Sequence, residues 1–202
     1  KLPSEDKYFL PVISWSDVTS AINSFRAYES GFLFSNTGHC AFPTTVLSRN
    51  ILLAYLNTHF VNKVSKILNP TLHFHVGYFN LLPFPSKLFN HSEFVDSAVE
   101  SLITNHQSDW DSYETSWNFT ALPLLSSDHR GANIEETYAK LRSHWQSMTD
   151  EMQRLEEENN KVFIDAYGLQ DELTPEVPIK EITLTCNPHY RYGGNMTNEE
   201  RE

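Results

Sequence analysis

The sequence has little of what several common functional sites require. It has seven glycines and neither a GxGxxG nor a Walker-type run, so nothing predicts a phosphate-cradling loop. Its two cysteines, Cys40 and Cys186, lie far apart and have no CxxC partner. This argues against a disulfide framework and a cysteine-rich zinc site, and favours a cytoplasmic protein. Apolar runs of 18 residues are also missing, so we expect no membrane partner.

The ends of the 202-residue chain resemble cut points. The sequence starts at Lys1 without an initiator methionine or a signal-peptide pattern, and it stops in a polar run. We therefore expect a piece of a longer protein. A size of this order suits one domain with an appendage, or two small domains.

Charge is distributed unevenly along the chain. The net charge of −11 argues against nucleic-acid binding by the chain as a whole. Residues 1–91, however, carry seven Lys/Arg against four Asp/Glu, a net +3, whereas residues 92–202 carry −14. Five of the nine histidines also lie in the first part. This asymmetry predicts two roles on one chain.

The first part reads as mixed α and β structure. A proline-interrupted apolar run at 8–15 predicts an edge strand, and a second strand is predicted at 32–34, between turns at 29–31 and 36–38. Apolar residues at helical spacing predict one helix from Ser48 to about Ile67. Alternation at 72–76 predicts a half-buried strand that exposes His73 and His75.

The second part reads as largely helical. One apolar stripe predicts a helix over 92–107, and a heptad seam over 134–162 predicts a much longer helix that starts at an Asn133–Glu136 capping box. We expect the two helices to pair in an antiparallel manner, with Asn159 setting the register. A linker and a short strand at 182–185 follow. The predicted class is α/β of the α+β kind: a mixed-sheet domain over 1–91, a helical spacer over 92–168, and a linker with a C-terminal extension over 169–202.

Several long motifs resemble one known family. Residues 67–77 (ILNPTLHFHVG) followed by 82–85 (LPFP) are similar to the closing segment of target-recognition domains in adenine methyltransferases and, more distantly, in Type I restriction specificity subunits. Residues 13–17, 109–117 and 163–173, the last continuing into 182–188, resemble the PglX methyltransferases of BREX phage-exclusion systems. The resemblance extends from about residue 10 to residue 193.

The resemblance implies a division of labour in a parent enzyme. An α/β domain would read double-stranded DNA, and long helices would act as a spacer. The S-adenosylmethionine site and the catalytic Asn-Pro-Pro-Tyr motif would lie upstream, in the catalytic methyltransferase domain. We therefore expect this chain to hold no cofactor and no catalytic residue. Its partners would be DNA, that catalytic domain and other phage-defence proteins; the alternative is a protein-docking module without direct DNA contact.

Candidate DNA contacts lie in the first part of the chain. Lysines and asparagines at the end of the helix predicted from Ser48 suit phosphate contact, and the loop at 35–39 and an arginine before it suit base contact, because Asn can pair with adenine and Arg with guanine. The two histidines of the predicted strand suit either a phosphate contact or a base contact. The candidates are Arg26, Ser35, Asn36, Thr37, His39, Asn62, Lys63, Lys66, His73 and His75. Each also has an ordinary structural explanation as a turn or a solvated face.

Two further patterns suggest chemistry more weakly. His73 and His75 have a spacing compatible with a metal and could be completed by His39 and Cys40, but solvated histidines are commoner, and we assign no metal site. Asn187-Pro188-His189-Tyr190 differs by one residue from the adenine methyltransferase motif that binds a flipped base. We interpret it as a structural turn.

Overall fold

The computed structural model describes residues 4–20, 22–84 and 92–193. Its described elements are three strands and six α-helices, with short 3₁₀ turns between them. The strands are β1 (Val12–Ser16), β2 (Arg26–Tyr28) and β3 (Gly38–Ala41). The helices are α1 (Val46–Leu56), α2 (His59–Leu68), α3 (Val76–Phe79), α4 (Ser92–Asp111), α5 (Ile134–Tyr167) and α6 (Pro188–Arg191). The α+β class is confirmed.

The sheet has the order β2-β1-β3. Where the sequence predicted a mixed sheet, both described pairings are antiparallel. The predicted edge strand at 8–15 is wrong in position: β1 is central, because Pro11 falls just before it and leaves its amides able to pair on both sides. The predicted strand at 32–34 is also wrong. That segment is irregular, and the strand lies earlier, at β2.

The helix predicted from Ser48 to Ile67 is two helices. Thr45, not Ser48, caps α1: the Thr45 hydroxyl accepts from the Ser48 amide, and the Ser48 hydroxyl accepts from the Thr45 amide, each at 3.1 Å. Thr58 caps α2 by accepting from the Val61 amide at 3.2 Å. The break between the helices follows from Asn57, whose side-chain amide exchanges hydrogen bonds with the backbone of Phe25.

The chain folds into two compact units. Unit 1 comprises residues 1–100 and 158–175, and unit 2 comprises 101–157 and 176–202. These units are defined by packing and do not test the predicted functional boundaries at 91/92 and 168/169.

The core of unit 1 is aromatic. Trp15 and Phe25 lie 5.4 Å apart between ring centroids, and Phe74 completes the group; all three are at most 3% exposed. Burial of side chains of this size contributes about 1.5–3 kcal/mol each. The predicted strand at 72–76 forms only a single bridge, between Val18 and His73, before α3 begins. Its predicted alternation nonetheless leaves Phe74 buried between exposed His73 and His75.

The end of α5 completes unit 1. The Asn159 side-chain amide donates to the Ala54 carbonyl at 3.0 Å, and the Asn160 side-chain oxygen accepts from the His59 amide at 2.9 Å. Asn159, predicted to set the register of a helix pair, therefore bonds to α1. Phe163 is fully buried and lies 5.7 Å from the Tyr55 ring.

Unit 2 is built on the middle of α5. Met148 and Met152 pack with Val177, Ile182 and Leu184, and Leu102 of α4 packs against this cluster. Both backbone polar groups of Val177 are bound by α5: its amide donates to Glu157 at 3.0 Å, and its carbonyl accepts from Gln153 at 2.7 Å.

The strand predicted at 182–185 is wrong. Ile182 and Leu184 are fully buried, but they follow the 3₁₀ turn Ile179–Glu181 in irregular structure. Their alternating burial reflects a chain that runs along a helix surface, which period-2 patterning cannot distinguish from a sheet.

Candidate nucleic-acid interface

A cluster of three histidines surrounds Asp17 in unit 1. Asp17 directly follows β1, and the β1–β3 register sets Trp15 opposite His39. The Asp17 amide donates to the Thr37 carbonyl at 3.0 Å, and its carbonyl accepts from the Phe74 amide at 2.8 Å. These bonds bring the end of β1, β3 and the segment that carries His73 and His75 to one place. We call Asp17, His39, His73 and His75 the histidine cluster.

The two carboxylate oxygens of Asp17 face different imidazoles. Oδ1 lies 3.3 Å from His39 Nε2 and 3.1 Å from His75 Nδ1, whereas Oδ2 lies 3.3 Å from His73 Nδ1. Burial acts to raise the pKa of Asp17, but hydrogen bonds from His73 and His39 and the nearby His75 outweigh it, so that the pKa lies below its ordinary value. The ligand atoms of Asp17, His39 and His75 all lie within 4.8 Å of one another.

The turn before β3 is exposed and internally bonded. Ser35, Asn36 and Thr37 are all solvent-exposed, and the Ser35 and Thr37 hydroxyls lie 2.9 Å apart. The Ser35 hydroxyl also accepts from the Thr37 amide at 3.3 Å. Two of the three predicted base-contacting side chains of this turn thus stabilise it, which leaves Asn36 as the side chain most able to reach outward.

A polar cleft of about 350 Å³ opens beside the cluster, between the segment after β1 and helix α2. Three of the predicted contact residues line it together: Asn62 and Lys66 from α2, and His73. Asn69, which also lines it, is committed to the local turn, because its side chain accepts from the Thr71 amide at 3.1 Å and donates to the His73 carbonyl.

The basic side chains predicted to contact DNA differ in the hydrogen bonds and ion pairs that they make within the protein. Arg26 lies on β2, half-buried, and donates to the Phe25 carbonyl at 3.3 Å, and Lys63 donates to the Glu172 carbonyl at 3.3 Å. Arg49, which was not a predicted contact, pairs with Glu29 at 2.7 Å. Lys66 is exposed, and none of the described residues forms an ion pair with it. Among the candidate contacts, the accessible positive charge is therefore that of Lys66.

Asn187 has a structural role in unit 2, at the start of the segment Asn187-Pro188-His189-Tyr190. Asn187 is 1% exposed, and its side-chain amide donates to the carbonyls of Ile179 and Ile182 at 2.8 and 2.9 Å. Its side-chain oxygen accepts from the His189 amide at 3.1 Å and caps α6. An asparagine that binds a flipped adenine needs these same groups, so this arrangement supports the interpretation as a turn.

Asp17 is the member of the cluster that sequence reasoning missed as a site residue. In the sequence Asp17 belongs only to a family motif, and 56 residues separate it from His73. The one feature that could have indicated a site is that a charged residue directly follows the apolar strand β1. Cys40, by contrast, follows His39 on β3 and so points to the other face of the sheet.

Comparison with known proteins confirms the resemblance. No family model matches the chain. The chain is 34% identical over 179 residues, 87% of its length, to the adenine-specific methyltransferase PglX of Lacticaseibacillus casei strain Zhang. It is 30% identical over 200 residues, 98% of its length, to the adenine-specific methyltransferase BrxX of Escherichia coli O9:H4 strain HS. It spans only 15% and 16% of these two relatives. The chain is therefore homologous to a segment of PglX-type methyltransferases.

Proposed function

We propose that this chain is the DNA target-recognition segment of an adenine-specific methyltransferase that acts in phage defence. The parent enzyme would use S-adenosylmethionine in a separate catalytic domain, and this segment would select the site at which that domain methylates adenine. The observation that carries the proposal is the polar cleft, in which Asn62, Lys66 and His73 line one surface.

The chemistry of the cleft suits a nucleic-acid backbone. Lys66 supplies an accessible positive charge, and Asn62 supplies an amide that can donate to a phosphate oxygen. The exposed turn that carries Asn36 belongs to the same unit, and an asparagine can pair with adenine through two hydrogen bonds. Lysine contacts would set affinity and register, and the turn would contribute sequence preference.

Duplex binding at low salt tests this proposal. The 202-residue chain should bind a duplex with an affinity that falls steeply as salt rises, and Lys66→Glu should weaken binding and reduce the salt slope by about one. Lys180→Glu, at an exposed lysine of unit 2, is the matched control and should bind like the wild type. Lys63→Glu combined with Lys66→Glu should weaken binding further.

The contrary outcome is equally clear. If the chain binds no duplex at low salt, or if the double variant binds as well as the wild type, direct DNA recognition by this chain is wrong. If the chain does bind DNA, Asn36→Ala separates base contact from phosphate contact. It should change the preference among duplex sequences while leaving the salt slope unchanged.

A second candidate function is docking to the catalytic domain of the parent chain. The observation that favours it is a group of large apolar side chains left exposed in unit 2 between residues 110 and 138. Four of them are at least 56% exposed: Trp110, Trp117, Leu125 and Ile134. Tryptophan is enriched at protein interfaces, and large apolar side chains left exposed together are typical of interaction surfaces. Co-purification of this chain with the separately expressed catalytic domain, lost in Leu125→Asp with Ile134→Asp and kept in Lys66→Glu, would support docking.

A further inference from the structure

We propose that Asp17, His39 and His75 form a binding site for a divalent transition metal, zinc above all, with His73 as a positioning residue. The proposal stands apart from DNA recognition and would hold if this chain bound no nucleic acid. It also differs from the metal arrangement that the sequence suggested, because it includes Asp17 and excludes Cys40.

The two separations from Asp17 are close to those around a tetrahedral metal ion. Zinc binds imidazole nitrogen and carboxylate oxygen at about 2.0–2.2 Å, which puts neighbouring ligand atoms of a tetrahedron about 3.3–3.5 Å apart. The observed separations from Asp17 Oδ1 are 3.3 Å to His39 Nε2 and 3.1 Å to His75 Nδ1, and the ligand atoms of all three residues lie within 4.8 Å of one another. Metal binding would then set the distance between the two imidazole nitrogens to the tetrahedral spacing.

The donor set selects the class of metal. Two imidazole nitrogens and one carboxylate oxygen suit zinc and its neighbours, whereas magnesium and calcium prefer oxygen ligands. Three protein ligands leave the fourth tetrahedral position to a water molecule, as in zinc sites that keep an open coordination position.

His73 lies on the other side of the carboxylate. Its Nδ1 faces Oδ2, 3.3 Å away, while the two proposed ligands face Oδ1. A hydrogen bond from His73 to Oδ2 would orient the carboxylate without occupying the metal position. Such outer partners of metal ligands usually alter affinity about 10- to 100-fold when they are removed.

The backbone holds the ligands in place before any metal binds. Asp17 is bonded through its amide to Thr37 and through its carbonyl to Phe74, and His39 is fixed by strand pairing with Trp15. The side chains of Asp17 and His39 are 15% and 16% exposed, whereas that of His75 is 55% exposed. The site is therefore largely preformed and has an entry path on the His75 side.

The alternative is a set of imidazole–carboxylate hydrogen bonds that binds no metal. The two interpretations differ in which ring nitrogen carries a proton. Without a metal, the nitrogens of His39 and His75 that face Oδ1 carry protons and donate them to the carboxylate. With a metal, the same nitrogens carry no proton and give their lone pairs to the ion.

Metal titration of the chelator-treated 202-residue chain tests the proposal. We expect one zinc per chain by calorimetry, and a cobalt complex with the visible d–d bands of a four-coordinate site but no thiolate charge-transfer band. Asp17→Asn, His39→Gln and His75→Gln should each lower zinc affinity by more than about 100-fold, beyond the loss expected for an outer partner. His73→Gln should lower it by about 10- to 100-fold.

Two matched variants and a stability measurement keep the outcome clear. Cys40→Ser and His59→Gln, the latter at a histidine of unit 1 outside the cluster, should bind zinc like the wild type. Zinc should raise the unfolding temperature of the wild type and of both controls, but not that of the three ligand variants. Absence of zinc and cobalt binding in the wild type, equal binding in the ligand variants, or loss of binding in Cys40→Ser would each overturn the proposal.

Discussion

Asp17 of unit 1 and Asp109 of unit 2 each tie distant segments together, and the two differ in the groups that surround them. Asp109 of unit 2 is 6% exposed and accepts from the Thr185 amide and hydroxyl, each at 2.6 Å, and from the Cys186 amide at 2.9 Å. Asp17 of unit 1 meets three imidazoles instead. Backbone amides and a hydroxyl keep their protons, whereas an imidazole nitrogen can lose its proton and bind a metal ion, or donate its N–H to a phosphate oxygen instead of to the carboxylate.

This difference separates a structural carboxylate from one suited to function. The donors around Asp109 gain little by opening, because each lies in a half-buried segment and would lose a charged acceptor. The imidazoles at 73 and 75 remain more than half exposed and can change partner at little cost. The type of donor and its access to solvent therefore matter more than the number of contacts.

The largest effect expected from this comparison is the loss of Asp109. Asp109→Ala leaves three donors without an acceptor, and each buried unsatisfied donor costs about 1–3 kcal/mol, so we expect a loss of about 4 kcal/mol in unfolding free energy. The comparator Asp17→Ala, measured in the presence of a chelator, should lose clearly less, because His73 and His75 are more than half exposed and can bond to water instead. Urea unfolding measures both, and equal losses would abolish the distinction.

Asn187 tests whether the polar anchors of unit 2 are generally structural. Asn187→Ala removes two donated hydrogen bonds and the cap of α6, and we expect a loss of about 2–3 kcal/mol. Asn118→Ala, at an exposed asparagine of the same unit, should stay within about 0.5 kcal/mol of the wild type. An unchanged urea midpoint in Asn187→Ala would reopen the catalytic interpretation of this segment.

The thiol beside Asp109 should react slowly. Burial, followed by the Asp109 carboxylate, raises the pKa of Cys186 to about 12, and the thiolate is the reactive form. In a Cys40→Ser background at pH 8, iodoacetamide should alkylate Cys186 at least about tenfold more slowly than it alkylates the urea-unfolded chain. Asp109→Ala should speed the reaction. Equal rates in folded and unfolded chains would show that the site opens freely.

The smallest effect is expected at an exposed carboxylate. A hydrogen bond from the Ala132 amide, assisted by Lys140, lowers the pKa of Glu136 below its ordinary value of 4.5. A depressed carboxyl pKa stabilises the fold above the unfolded-state value, and that stabilisation is lost as the pH falls through the folded value. The urea midpoints of wild type and Glu136→Gln should differ slightly at pH 7 and converge as the pH falls through the folded-state pKa, which NMR titration of the wild type locates. A difference that persists below that pH would point to another cause.

The sequence predicted local periodicity well and long-range pairing poorly. The long helix was confirmed because Leu141, Met148, Met152 and Leu155 repeat at heptad spacing and are buried. The break at Asn57 and Thr58 was missed, since apolar spacing continues through it and only the capping side chains reveal it. The strands predicted at 32–34 and 182–185 were wrong because apolar residues also line irregular segments that pack on other elements.

The candidate site was predicted in part. The sequence identified His39, His73 and His75 separately, and the structure brings them together around Asp17. It also brings Asn62 and Lys66 to the cleft lined by His73. Neither grouping could be derived from spacing, because both depend on hydrogen bonds between the segment after β1 and residues more than 50 positions away, such as Thr19 to Leu72.

The discontinuity of unit 1 has a consequence for the order in which this protein can fold. Residues 158–175 supply Asn159, Asn160 and Phe163 to a unit whose other residues precede Ser101. A ribosome that adds about 5–20 residues per second must therefore extend the chain by at least 60 residues before these groups can reach α1 and α2. During that interval Tyr55 of α1 lacks the Phe163 ring that packs against it, and contacts across such long loops form slowly. The need for chaperones should be greatest in those seconds. An expression fragment that stops at residue 91 lacks residues 158–175 and should therefore not complete the fold of unit 1.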